Sequence, residues 1–288
     1  VTVLATVATG QRGSAAAHLA GMLARSTEES VTAAAIVPAP WPPSPFGGDA
    51  EYLAAQKRTF AEALARAEDI LEGLAVESLI EESRSVSSGV AELAQRLQPS
   101  FVVVGSNTRG PIGVVSLGSV ARRLLSTLDV PVCFAPNGFT AAADATVHRV
   151  TVAFGRGDRD SSLLRETAER TEPFGIPMRI VCFAVRPPAR GSIEPGIEDL
   201  VVSEWADAVR GEIEPTLSAA GLEPDSVEIV VAAGRSWTDA IAEVDWEPGD
   251  LLTIGASTSP VSRLFLGAHA SKIVRNSPVP VVVVGRGN

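Results

Sequence analysis

Residues 101–134 read FVVVGSNTRGPIGVVSLGSVARRLLSTLDVPVCF, a strand, a glycine-rich loop, a helix and a second strand in sequence. Phe101 to Val104 is a short, apolar, largely β-branched run, the pattern of a strand buried on both faces. It enters a glycine-rich loop, then Gly118-Ser119 at the start of an amphipathic helix, and ends in a second strand, Val130 to Phe134. A loop that leaves a buried strand for a helix N-terminus gathers backbone N–H groups without partners and the positive end of the helix dipole. Together these attract phosphate.

The layout returns at residues 251–284, LLTIGASTSPVSRLFLGAHASKIVRNSPVPVVVV. Gly255 stands for Gly105, Gly267 for Gly118, and Val279-Pro280-Val281 for Val130-Pro131-Val132. The chain is therefore an internal duplication. Its 288 residues suffice for two units, each with its own core. Residues 1–136 make the first domain and 148–288 the second. Residues 137–147, low in large apolar side chains, join them.

The same punctuation orders the rest. Strands are predicted at Val1 to Val7, Val31 to Val37 and Val76 to Ile80, with helices at Ser14 to Arg25, Ala50 to Leu74 and Ser88 to Leu97. Pro38 to Phe46 is too rich in proline for a helix or a central strand. The second half repeats the order: strands at Arg149 to Phe154, Met178 to Val185, Val227 to Ala232, Leu251 to Ile254 and Val279 to Val284. Its helices are predicted at Asp160 to Thr171, Glu198 to Ala220, Trp237 to Val244 and Ala268 to Asn276, with a kink at Pro215. Alternating strands and helices give two tandem open, parallel, five-stranded sheets flanked by helices. Ligands in such sheets sit at the carboxyl ends of the strands, where the strand order reverses.

The formal charge of -10 argues against general nucleic-acid binding, which needs clustered Lys and Arg. No apolar run approaches the ~20 residues that cross a bilayer, and VTVLATVATG lacks a basic segment ahead of a long apolar one. A cytoplasmic protein without membrane attachment is expected. Cys133 and Cys182 fall in strand-like runs and read as reduced core thiols, since neither belongs to a CxxC or Cys/His spacing. His18, His148 and His269 stand singly, so no metal site is expected. There is no G-x4-G-K-[ST] P-loop, no dinucleotide fingerprint after the first strand and no nucleophile elbow.

Tandem units of this size, each ending in strand, glycine loop, helix start and Val-Pro-Val strand, resemble the universal stress protein family in its two-domain form. The resemblance covers nearly the whole chain. It implies a Rossmann-like sheet similar to that of the adenine nucleotide alpha hydrolases, a stress-response binding role, and ATP or another adenine nucleotide with Mg as ligand. Members that bind ATP carry G-x2-G-x9-G-[ST]; Gly105, Gly118 and Ser119 match, and Thr108 takes the second glycine's place. The implied site comprises Gly105, Ser106, Thr108, Arg109, Gly110, Gly118, Ser119 and Val120, with Ile36 at the end of the second strand. In the second half Thr258 also replaces the glycine, Ala268 replaces the hydroxyl, and the loop is one residue shorter. The acid that follows the first strand in ATP-binding members is absent at Ala8 and at Gly155; Asp158 comes three positions later.

Each of these residues has a plainer reading. Ser119 is either a phosphate ligand or the N-cap of its helix. Asn107, Thr108 and Arg109 either donate to an anion or are ordinary loop residues, and Arg109 has the guanidinium suited to phosphate. Arg122 and Arg123 read as solvated, Trp41 and Trp246 as loop anchors or interface residues, His269 as a surface residue. Two functions follow: a module with a partial adenine-nucleotide site in the first half, or a stress-associated scaffold that binds no nucleotide. Slow ATP hydrolysis ranks last, because no base is identifiable. The resemblance also implies that the halves pack as a pseudo-dimer through their last strands, and that the whole chain can pair again as a homodimer.

Overall fold

The computed structural model describes residues 1–10, 13–39, 49–106, 110–155, 161–186, 197–256 and 266–285. Its first half runs β1 (Thr2–Thr6), α1 (Ala15–Thr27), β2 (Ser30–Pro38), α2 (Asp49–Ile70), β3 (Val76–Ser83), α3 (Val86–Leu97), β4 (Phe101–Gly105), α4 (Ser119–Thr127) and β5 (Val132–Ala135). The second runs β6 (Arg149–Ala153), α5 (Ser162–Thr171), β7 (Met178–Val185), α6 (Ile197–Ala219), β8 (Glu228–Gly234), α7 (Trp237–Ala242), β9 (Asp250–Gly255), α8 (Ala268–Asn276) and β10 (Val281–Val284). Pro215 lies inside α6.

Local chemistry sets the boundaries that differ from expectation. Strands β5 and β10 begin after Pro131 and Pro280, two residues later than predicted, since proline supplies no N–H to a ladder. The proline carbonyls still take part, accepting from Val102 N at 3.0 Å and Leu252 N at 2.9 Å. Helix α3 starts at Val86, before its periodic apolar face, because the Ser85 side chain caps it by accepting from Ser88 N at 3.1 Å.

All ten strands form one sheet, in the order β3-β2-β1-β4-β5-β10-β9-β6-β7-β8. The two five-stranded sheets expected of the halves are thus continuous across β5 and β10. Pairing within each half is parallel, whereas β5 and β10 meet antiparallel, with Val281 opposite Phe134, Val282 opposite Cys133 and Val283 opposite Val132. The last strands thus join edge to edge, and neither is left as an open template.

Alternate strand residues feed two cores, one on each face. Val3, Ala5, Val103, Val152 and Ile180 face α1, α2, α5 and α6, packing with Leu19, Leu71, Leu164 and Ile213. Leu4, Ala34, Val102, Val104 and Leu252 face the other way, with Val90, Leu93, Leu124 and Val274. Complete burial of a side chain of this size is worth about 1.5–3 kcal/mol, so the alternation fixes the register strongly. Residues 137–147 are anchored on α1: Ala141 N donates to His18 Nδ1 at 3.3 Å, and Val147 N to Ser26 Oγ at 2.7 Å.

A buried charge cluster lies at the amino ends of β6, β7 and β9. The Asp250 carboxylate accepts from Arg149 Nε at 3.1 Å and Nη2 at 2.8 Å, while Arg179 Nη2 stands 3.6 Å away. Arg179, only 2% exposed, also donates to Thr151 Oγ1 and to the Asp245 carbonyl, and its guanidinium lies over the Trp246 ring. Trp246 is held in turn by donating from Nε1 to the Ile241 carbonyl at 2.8 Å, as befits a loop anchor.

Candidate functional site

In the first half β1 lies between β2 and β4, and the connections leaving β1 and β4 go to opposite faces of the sheet, α1 to one and α4 to the other. A cleft of about 380 Å³ opens at this point, at the carboxyl ends of the strands. Strand β1 and the turn after it contribute Thr6, Val7, Ala8, Thr9 and Gly13. Ala34 and Ile36 come from β2, Phe60 from α2, Val86 from α3, and Val104, Gly105 and Ser106 from β4 and its exit. Gly118, Ser119, Val120 and Ala121 bring the start of α4 to the far wall.

Close backbone packing shapes the walls. Thr6 Oγ1 donates to the Val103 carbonyl at 3.1 Å, tying the ends of β1 and β4 together. A Cβ on Gly13 would lie 2.0 Å from the Ala8 carbonyl oxygen, so only glycine lets the turn fold so tightly against the cleft. Below the floor, a Cβ on Gly89 of α3 would come within 2.7 Å of Ile36 Cγ2. The missing side chain lets α3 support Ile36 from behind.

The wall formed by α4 has the chemistry of an anion site. Its N-cap is Gly118, with extended backbone and no side-chain cap, and Ser119 is the first helical residue. Ser119 is therefore not the cap, which corrects one of its two expected roles; its side chain is exposed at the cleft. The first N–H groups of a helix have no acceptor within it, and the dipole adds roughly half a positive charge there. An oxyanion at Gly118–Ala121 would meet these donors and a hydroxyl.

The expected residues divide. Gly105, Ser106, Gly118, Ser119, Val120 and Ile36 line the cleft together. The Ser106 hydroxyl is already committed, donating to the Ala135 carbonyl at 2.6 Å and accepting from Ser116 N at 3.1 Å, so it braces the loop against β5. Gly110 does not line the cleft; its carbonyl accepts from Asn137 Nδ2 at 2.7 Å. Asn107, Thr108, Arg109, Asp158, Thr258 and Trp41 lie outside the described residues. Arg122 and Arg123 are exposed and stand outside the lining. Phe60 and Val86 were not expected here: Phe60 falls at helical spacing within α2, the pattern of a core position, and Val86 precedes the periodic part of α3.

Among the described residues no three His, Cys, Asp or Glu side chains gather as a metal site, and the described cleft lining holds no carboxylate. These residues do not fit a protein-held Mg²⁺. No described helix is long and apolar enough to cross a membrane.

The protein is thus a doubly wound α/β protein, built twice and fused through its final strands, with a crevice at the switch point of its first half. The model of the universal stress protein family matches twice, over residues 2–136 and 146–285. The chain belongs to the universal stress protein family, in tandem form. It is 32% identical to the universal stress protein Rv2319c of Mycobacterium tuberculosis, over 99% of each chain. Its fold is shared by a universal stress protein of Archaeoglobus fulgidus, with a TM-score of 0.63, 17% identity, and 99% and 98% of the two chains covered. Another structure of a universal stress protein from Archaeoglobus fulgidus is in complex with dAMP; it covers 46% of this chain and 95% of its own, with 18% identity and a TM-score of 0.35.

Proposed function

We propose that the first half of this chain binds an adenine nucleotide in the cleft between β1 and β4. The phosphate lies against the start of α4, receiving the N–H groups of its first turn and the Ser119 hydroxyl. The base lies at the other end, against Ile36, Val7 and Phe60, where apolar side chains exclude water from its faces. The observation that carries this reading is the opening of the α4 N-terminus into a cleft with an apolar far end. Hydroxyls, backbone donors and apolar walls bind and orient a ligand, so the reading is of a cytoplasmic binding module. Any Mg²⁺ enters with the phosphates rather than on protein carboxylates. The domains of this reading are 1–136 and 148–288, joined by residues 137–147, in keeping with the two family matches.

A second reading, an interaction protein that takes no nucleotide, is favoured by one feature. Ala8 lines the cleft and offers no carboxylate to ribose hydroxyls. Mass spectrometry of small molecules released from the purified protein separates the two. An adenine nucleotide among them supports the first reading; none released, together with no binding at millimolar nucleotide, leaves the second.

A further inference from the structure

We infer that the second half closes its own cleft with an aromatic ladder, Phe183–Trp237–His269, and that of the two strand-end clefts formed by the described residues only the first stays open. The stoichiometry rests on the nucleotide reading above, whereas the ladder does not.

The correspondence between the halves follows from register. Thr6, the last residue of β1, pairs with Ala34; Ala153, the last residue of β6, pairs with Val181. Val7 N donates to the Ala34 carbonyl just as Phe154 N donates to that of Val181. Two residues further along each second strand stand Ile36 and Phe183. Val86 and Trp237 are the first residues of α3 and α7, each following a serine cap. Val120 and His269 are the second residues of α4 and α8, each following a glycine cap. The floor and the two walls of the first-half cleft, all aliphatic, thus correspond to three rings in the second half.

These rings touch. The Phe183 and Trp237 centroids are 6.3 Å apart with planes inclined at 59°, and those of Trp237 and His269 are 5.3 Å apart at 39°. Both separations lie in the range where aromatic pairs attract beyond simple burial. Lys272, one turn after His269 on α8, places its Nζ 5.8 Å from the Trp237 centroid. The indole is engaged by Phe183, His269 and Lys272 at once. A planar ligand entering here would have to displace these contacts. The ladder climbs from half-buried Phe183 and Trp237 to exposed His269, at the positions that correspond to the cleft-lining Ile36, Val86 and Val120 of the first half. Ala268, where the first half has Ser119, removes the hydroxyl from the same wall.

The test is nuclear magnetic resonance of the labelled full chain, free and then titrated with AMP, with calorimetry for stoichiometry. The ladder predicts cross-relaxation between the Trp237 indole and the His269 imidazole in the free protein, unchanged at saturating AMP. It predicts shift changes at Thr6–Thr9 and Gly118–Ala121 but not at Gly267–Ser271, and a single equivalent bound per chain. Absence of the Trp237–His269 contact in the free protein, its loss on adding AMP, or two equivalents bound would overturn the inference. A chain that keeps the contact but binds no AMP anywhere would refute the nucleotide reading and leave the ladder standing.

Discussion

The backbone N–H of Ala141 donates to Nδ1 of His18 across 3.3 Å, pinning the segment between the two halves to the middle of α1. Acceptance requires Nδ1 without its proton. Burial outweighs the opposing effect of the Ala141 backbone contact and, with the charge of Arg25, holds the imidazole pKa below its ordinary value of 6.5. The unfolded chain therefore binds a proton more readily than the folded one. The stability that neutral His18 contributes is complete above about pH 6.5 and is lost as pH falls from there toward the folded-state value. Denaturation midpoints measured between pH 7.5 and 5 should fall with acidification, and the fall should be smaller in His18→Asn. Equal pH dependence in the two proteins would remove His18 from this role.

Gly89 of α3 and Ile36 on the cleft floor are the second such pair. Alanine at 89 gains roughly 1 kcal/mol of helix propensity, but its methyl meets Ile36 Cγ2 at 2.7 Å and Ser83 Cβ at 3.0 Å. Overpacking of this kind costs about 1–3 kcal/mol. Gly89→Ala should be destabilised by about 1 kcal/mol in urea titration, and should bind nucleotide more weakly because Ile36 is pushed into the cleft. A variant that is more stable and binds unchanged contradicts the packing account.

Asp250 is 1% exposed and answers two arginines. Removing it leaves the guanidinium of Arg179 buried without its counter-charge, and breaking a buried pair in this way costs about 3–5 kcal/mol. Asp250→Ala should lose stability on that scale in chemical denaturation. A loss below about 1 kcal/mol would mean that hydrogen bonds to Thr151 and Asp245 suffice for Arg179.

Cys133 and Cys182 are buried, free thiols on the sheet. Burial pushes both thiol pKa values up, that of Cys182 to about 12. The thiolate is the reactive form, so neither should be labelled by a disulfide reagent at pH 8 in the native protein, and both should react at once in guanidinium. Prompt native labelling of either would show that its strand opens locally.

Much of this was legible in the chain, for physical reasons. Strands buried on both faces are continuous runs such as Phe101–Val104 and Val281–Val284, and proline and glycine mark their ends. Duplication made each half a check on the other. What escaped depends on side chains that meet only in three dimensions. Phe60 belongs to an amphipathic helix far along the chain from the glycine loop, and periodicity assigns it to the core alone. Ser106 sits in the loop where a phosphate ligand is expected, yet its hydroxyl is spent on Ala135 and Ser116. Trp237 and His269 are separated by a strand and a loop, and Phe183 meets Trp237 only in the folded sheet.

Whether the start of α4 holds the phosphate of an adenine nucleotide is decided by calorimetric titration of the full chain with AMP, ADP and ATP. A hydrogen bond to a charged group contributes about 1.5–3 kcal/mol. Saturable binding is predicted for the wild type, weakened about tenfold or more in Ser119→Ala and unchanged in Ala268→Gly. Undiminished affinity in Ser119→Ala, or no heat of binding with any of the three at millimolar concentration, would contradict phosphate binding there.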